Sequence, residues 1–89
     1  MATMFVRHTI SDYKAWRKVY DDFAAIQKAE GVTAQAVYQA ADNPNDITVT
    51  HEFGSVEAAQ AFVKSDELKK AMQKAGVVGA PTIWLANKV

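Results

Sequence analysis

The chain contains no cysteine, which removes disulfides, thiolate zinc sites, iron–sulfur clusters and a thiol nucleophile from consideration. An excess of either charge is missing too. Ten Lys and Arg balance ten Asp and Glu, so neither nucleic acid nor an anionic membrane is expected as the main partner. No apolar run approaches the ~18 residues that a membrane-spanning helix needs. No basic segment followed by an apolar signal core opens the sequence, and the expected compartment is therefore the cytoplasm. What is present is 89 residues, 49% of them apolar and 22% charged, a composition suited to one ordinary globular domain over residues 1–89. A chain of this size can bury about two-thirds of its unfolded surface, enough for a modest core without covalent staples.

Thr3 to Ile10 is short and rich in β-branched and aromatic residues, which predicts a strand. At Ser11-Asp12, a helix N-cap signal, the period changes. Tyr13, Trp16, Val19, Tyr20, Phe23 and Ile26 then recur at helical spacing, which predicts one amphipathic helix ending near Gly31. Thr33 to Ala41 reads as a second strand centred on Val37-Tyr38. Asp42 to Asp46 is dense turn chemistry, short polar side chains around Pro44. Ile47 to Phe53 alternates strictly, completing a hairpin. Ser55 and Ser65 are further caps, predicting either one kinked helix or two abutting ones that end near Gly76. Gly79 to Pro81 reads as a breaker before a last strand, Thr82 to Lys88.

The resulting order, β-α-β-β-α-β, is the split pattern of ferredoxin-like α+β domains. Right-handed crossovers place the strands in the order 4-1-3-2, as a four-stranded antiparallel sheet with both helical segments on one face. The second face then has nothing from its own chain to cover it. Whichever set of alternating residues points there, large aromatic or aliphatic side chains are left wet, each forgoing ~1.5–3 kcal/mol. A twofold homodimer that closes two sheets face to face is the expected remedy.

These segments resemble a known group. VRHTI, SDYKAWRKVYDDF, DNPND followed by ITVTHEF, and SDELKKAMQKAGVVGAPTIW are similar to the dimeric α+β barrel superfamily. Within it they are most similar to small proteins related to antibiotic biosynthesis monooxygenases, some of them described as cyclases or oxygenases. The resemblance spans nearly the whole chain. It implies a dimeric α+β barrel, with a cavity between helices and sheet or within the barrel. Members of the group differ in chemistry, so the resemblance speaks to fold more than to reaction.

The candidate chemical groups are few. The even positions of the first strand (Met4, Val6, His8, Ile10) and the odd ones of the third (Ile47, Val49, His51, Phe53) are the more apolar sets, expected under the helices. His8 and His51 then share a face. They read either as general bases in a dry pocket or as core histidines bonded to backbone or to Tyr20. Arg7 and Glu52 fall on the other face with Thr9, Thr48 and Thr50. They are expected as cross-strand partners, serving either as an anion clamp with a carboxylate base or as an ion pair that fixes register. Tyr38, Trp84 and Thr50 are candidate substrate-binding positions on strands. Trp16, Tyr20 and Phe23 read as core, since a stripe at helical spacing is the signature of burial. His51 and Glu52 point to opposite faces and no third ligand stands at usable spacing, so no metal is expected, and no cofactor. The serines are caps; no nucleophile elbow accompanies them.

Two functions follow. One is a cofactor-independent monooxygenase or cyclase acting on an aromatic, polyketide-like compound, with His8, His51 or Glu52 removing a proton and Arg7 stabilising the enolate oxygen. The alternative is a non-catalytic dimer that binds a small apolar ligand or another protein, with haem binding or degradation as a third reading.

Overall fold

The computed structural model describes residues 2–89. The chain runs β1 (Ala2–Ile10), α1 (Tyr13–Asp22), α2 (Ala24–Ala29), β2 (Val32–Ala40), β3 (Asn43–Phe53), α3 (Val56–Val63), α4 (Asp66–Lys74) and β4 (Val77–Asn87). The strands form one antiparallel sheet in the order β2-β3-β1-β4, the expected ferredoxin-like α+β arrangement.

Alternation decides the faces. Met4, Val6, Ile10, Ile47, Val49 and Phe53 are buried beneath Trp16, Phe23, Phe62 and Leu68 from the helices, so one sheet face carries the core. The helices begin where capping chemistry puts them. Asp12 Oδ2 accepts from Ala15 N at 3.1 Å, Ser55 Oγ from Ala58 N at 3.2 Å and Ser65 Oγ from Leu68 N at 3.2 Å. Gly76 ends the helical half of the second crossover at φ +79°, where a Cβ would stand 2.7 Å from Ser11 Oγ. Its carbonyl accepts from Ser11 N at 3.2 Å, tying the end of α4 to the end of β1.

Several boundaries differ from the sequence expectation. The first helical segment is two helices, broken at Phe23, whose N–H is shared between the carbonyls of Val19 at 3.0 Å and Tyr20 at 3.2 Å. Gln27, four residues after Phe23 and seven after Tyr20, lies on the same face as the apolar stripe and is buried with it. The second segment is two abutting helices, α3 and α4, parting at Lys64-Ser65, one of the two arrangements expected there.

Both expected breaks belong to strands. β3 starts at Asn43, and the register to β2 passes from Gln39 opposite Ile47 to Ala40 opposite Asn43, so Pro44, Asn45 and Asp46 are accommodated as extra residues. A proline has no N–H to leave unpaired there. β4 starts at Val77 and runs through Gly79 to Pro81, where its register to β1 shifts between Arg7 opposite Thr82 and Thr9 opposite Val78. Gly79, at φ +74°, supplies the backbone turn that this shift requires.

The opposite face of the sheet is bare. Phe5 and Trp84 stack on it with ring centroids 5.2 Å apart and planes 4° from parallel. Trp84 is 44% exposed, Tyr38 58% and Val78 55%.

Candidate functional site

The space between helices and sheet is lined by His8 and Val6 from β1, Val49 and His51 from β3, Trp16 and Tyr20 from α1, Phe23 beside them, Gln27 from α2, and Leu68 and Met72 from α4. About 410 Å³ lies between these atoms, part of it open to solvent, and about 40 Å³ can hold the centre of a water molecule. The two histidines stand at opposite ends of its floor. Met4 faces His51 across the β1–β3 ladder and His8 faces Ile47, a four-residue offset of roughly 13 Å along the strands. Aromatic rings connect the ends. His8 lies 5.8 Å from Trp16, Trp16 stacks on Tyr20 at 4.9 Å and 16°, and Tyr20 lies 6.1 Å from His51, all between centroids.

This cavity is dry enough to set protonation states. Burial pulls His51 down to about 4 and lowers His8 as well, an effect that the charge of Asp46 partly opposes. Burial also raises the Tyr20 hydroxyl to about 12. Near neutral pH, both imidazoles are uncharged and the phenol keeps its proton. Tyr20 Oη donates to Gln35 Oε1 at 2.5 Å and lies 3.5 Å from His51 Nε2. Both ring nitrogens of His8 and Nδ1 of His51 are buried without a hydrogen-bond partner. Such orphaned groups are uncommon in a folded protein, and each costs about 1–3 kcal/mol.

The remaining sequence candidates lie elsewhere. Arg7, Glu52, Tyr38, Thr50 and Trp84 do not line the cavity; by the strand alternation they belong to the bare face. The expected pairing of Arg7 with Glu52 is overturned. The register sets Thr3 opposite Glu52 and Arg7 opposite Thr48, placing the two roughly 13 Å apart along the sheet. Arg7 instead grips Asp46 through two bonds, Nε to Oδ1 at 3.1 Å and Nη2 to Oδ2 at 2.7 Å. The bonded guanidinium holds the Asp46 carboxyl below its usual range. The core-histidine reading, with nitrogens bonded to backbone or Tyr20, holds only for the contact of His51 Nε2. Among the described residues no group of three His, Asp or Glu side chains is assembled that could hold a metal ion.

Sequence reasoning assigned Trp16, Tyr20 and Phe23 to the core, and they are also the cavity wall. Sequence reasoning missed Gln27 and Gln35. The signal for Gln27 was its spacing, four residues after Phe23 and seven after Tyr20; Gln35, polar and on an edge strand, reads as solvated surface.

A model of the antibiotic biosynthesis monooxygenase family matches residues 4–74. The chain belongs to that family. Solved structures of similar fold include that of SnoaB, a cofactor-independent oxygenase from Streptomyces nogalater. It is 13% identical, with a TM-score of 0.75 and coverage of 99% of this chain and 94% of that one. A Caulobacter crescentus CB15 protein provisionally assigned as an antibiotic biosynthesis monooxygenase is 22% identical, with a TM-score of 0.77 and coverage of 99% and 89%. A conserved protein from Methanosarcina mazei Go1 is 17% identical, with a TM-score of 0.78 and coverage of 100% and 94%. At these identities the structures speak for the fold alone. A comparison with curated proteins finds no match. No helix among the described residues is long and apolar enough to cross a membrane.

Proposed function

We propose that this member of the antibiotic biosynthesis monooxygenase family is a cofactor-independent oxygenase. It acts on a flat aromatic compound bearing a ring methylene that is made acidic by conjugation with a carbonyl. The observation that carries the reading is the set of three buried ring nitrogens without partners on the wall of an otherwise apolar, aromatic cavity. Their cost is offset once a ligand hydrogen-bonds to them. The Trp16–Tyr20 stack offers a planar surface to a planar ligand.

On this reading His51 takes a proton from the substrate carbon and a ring N–H of His8 donates to the substrate oxygen, where charge gathers. An imidazolium is costly in a dry cavity, but the enolate formed with it is its counter-charge, and their attraction is strong where water is excluded. The delocalised carbanion passes electrons to dioxygen, and carbon and oxygen combine. Loss of water then leaves a carbonyl. In sum, a ring methylene and one dioxygen become a ketone and one water, the methylene supplying both hydrogens of that water. The proton held by His51 leaves in it.

The chain is further proposed to act as a homodimer of single-domain subunits, the bare face with Phe5, Trp84, Tyr38 and Val78 closed by a second copy. Arg7, Glu52 and Thr50 then belong to the subunit contact or to a space it encloses.

The test is oxygen uptake and absorbance with a panel of anthrones and hydroxyquinones. Turnover is expected, with His51→Ala and His8→Ala lowering it about 100-fold or more while the fold persists. Inactivity across the panel, with no small molecule retained in native mass spectrometry, overturns the reading. Retention without turnover makes the protein a ligand-binding dimer, and a Soret band on adding hemin makes it a haem protein.

A further inference from the structure

Gln35 on β2 stands directly across the ladder from His51 on β3, and Tyr20 reaches from α1 to both. The Tyr20 hydroxyl has a single hydrogen. It is committed to Gln35 Oε1, an amide oxygen that carries none of its own. What the hydroxyl oxygen turns toward His51 Nε2, at 3.5 Å, is therefore a lone pair. That approach is attractive only when Nε2 bears hydrogen, since two lone pairs would repel. A neutral imidazole has one N–H, so placing it on Nε2 leaves the acceptor on Nδ1. Nδ1 is the atom of this ring that is buried without a partner, on a residue lining the cavity.

We propose that Tyr20 and Gln35 are positioning residues that fix His51 as its Nε2–H tautomer, leaving Nδ1 as the free lone pair of the cavity. The chemical consequence rests on the oxygenase reading above; the tautomer does not. Gln35 Oε1 has no hydrogen to pass on, so a proton accepted at Nδ1 is not handed outward along this chain. It returns from Nδ1 to the oxygen that departs as water, and the base is regenerated within one turnover.

The experiment uses the full chain labelled with 15N-histidine, read by long-range 1H–15N correlation at pH 7. Hydrogen on Nε2 of His51 is expected in the wild type and in Gln35→Glu, whose carboxylate still accepts from Tyr20. Gln35→Leu frees the hydroxyl to donate to Nε2 and shifts the ring to the Nδ1–H form. With anthrone as the probe, Gln35→Leu lowers kcat at least about tenfold and changes KM by less than about twofold, and Gln35→Glu restores kcat. Hydrogen on Nδ1 in the wild type, or a tautomer unmoved by Gln35→Leu, overturns the proposal. If anthrone is not oxidised the oxygenase reading suffers, while the spectra still decide the tautomer.

Discussion

His51 gives the clearest pH dependence of any single residue in the chain. Its folded value of about 4 lies below the ~6.5 of an unfolded histidine, because burial penalises the charged ring. Between those values the unfolded chain binds a proton that the folded chain refuses. Stability is therefore complete above pH ~6.5 and is lost as the pH falls toward 4, by roughly 3 kcal/mol in all. His8, lowered for the same reason, acts in the same direction. Thermal melts followed by circular dichroism are expected to show Tm falling across this window. His51→Leu should flatten the slope, because the replacement has no proton to bind in either state.

At the scale of elements, α4 carries Leu68 and Met72 onto the cavity, and its start depends on one side chain. Ser65→Ala removes the acceptor for Leu68 N and is expected to cost about 1 kcal/mol in urea unfolding. The other end of α4 is held by a close approach. Gly76→Ala must place a Cβ against Ser11 Oγ in a left-handed backbone conformation. The conformation alone costs ~1–2 kcal/mol, and the contact adds to it. Ser11→Ala combined with Gly76→Ala should recover the contact part only, so the double-mutant cycle gives a coupling between the two positions. Additive losses in the urea midpoints would mean that the Ser11 side chain simply turns away.

For the molecule as a whole, the asymmetry of the sheet is the dominant fact. One face holds the core and the cavity; the other displays stacked Phe5 and Trp84 to solvent. Large apolar groups left wet each forgo ~1.5–3 kcal/mol, and several lie together here. Light scattering after size exclusion is expected to give twice the chain mass. Trp84→Glu should shift the protein toward the monomer without removing any cavity-lining side chain. A wild-type monomer at micromolar concentration would contradict the dimer, yet leave the cavity and its histidines as described.

Much of this was legible in the amino-acid order. Strict alternation through Ile47 to Phe53 assigned His51 to the helix side, and the same logic placed His8 there. The capping roles of Asp12, Ser55 and Ser65 were readable because each bonds within three residues of itself. Interactions of that range are written locally, so sequence alone determined the starts of α1, α3 and α4; alternation determined the faces, and the right-handed crossover rule the strand order. What joins distant segments was decided only on folding. Pro44 and Gly79 look like breaks until a neighbouring strand absorbs the extra residues as a shift in register. The unbroken register of β1 on β3, which sets Arg7 opposite Thr48 and diagonal to Asp46, makes Asp46, not Glu52, the partner of Arg7. The meeting of Tyr20, Gln35 and His51 likewise needs a helix laid across two strands, because side-chain contacts of 2.5 and 3.5 Å join residues from three separate elements and no spacing along one segment can bring them together.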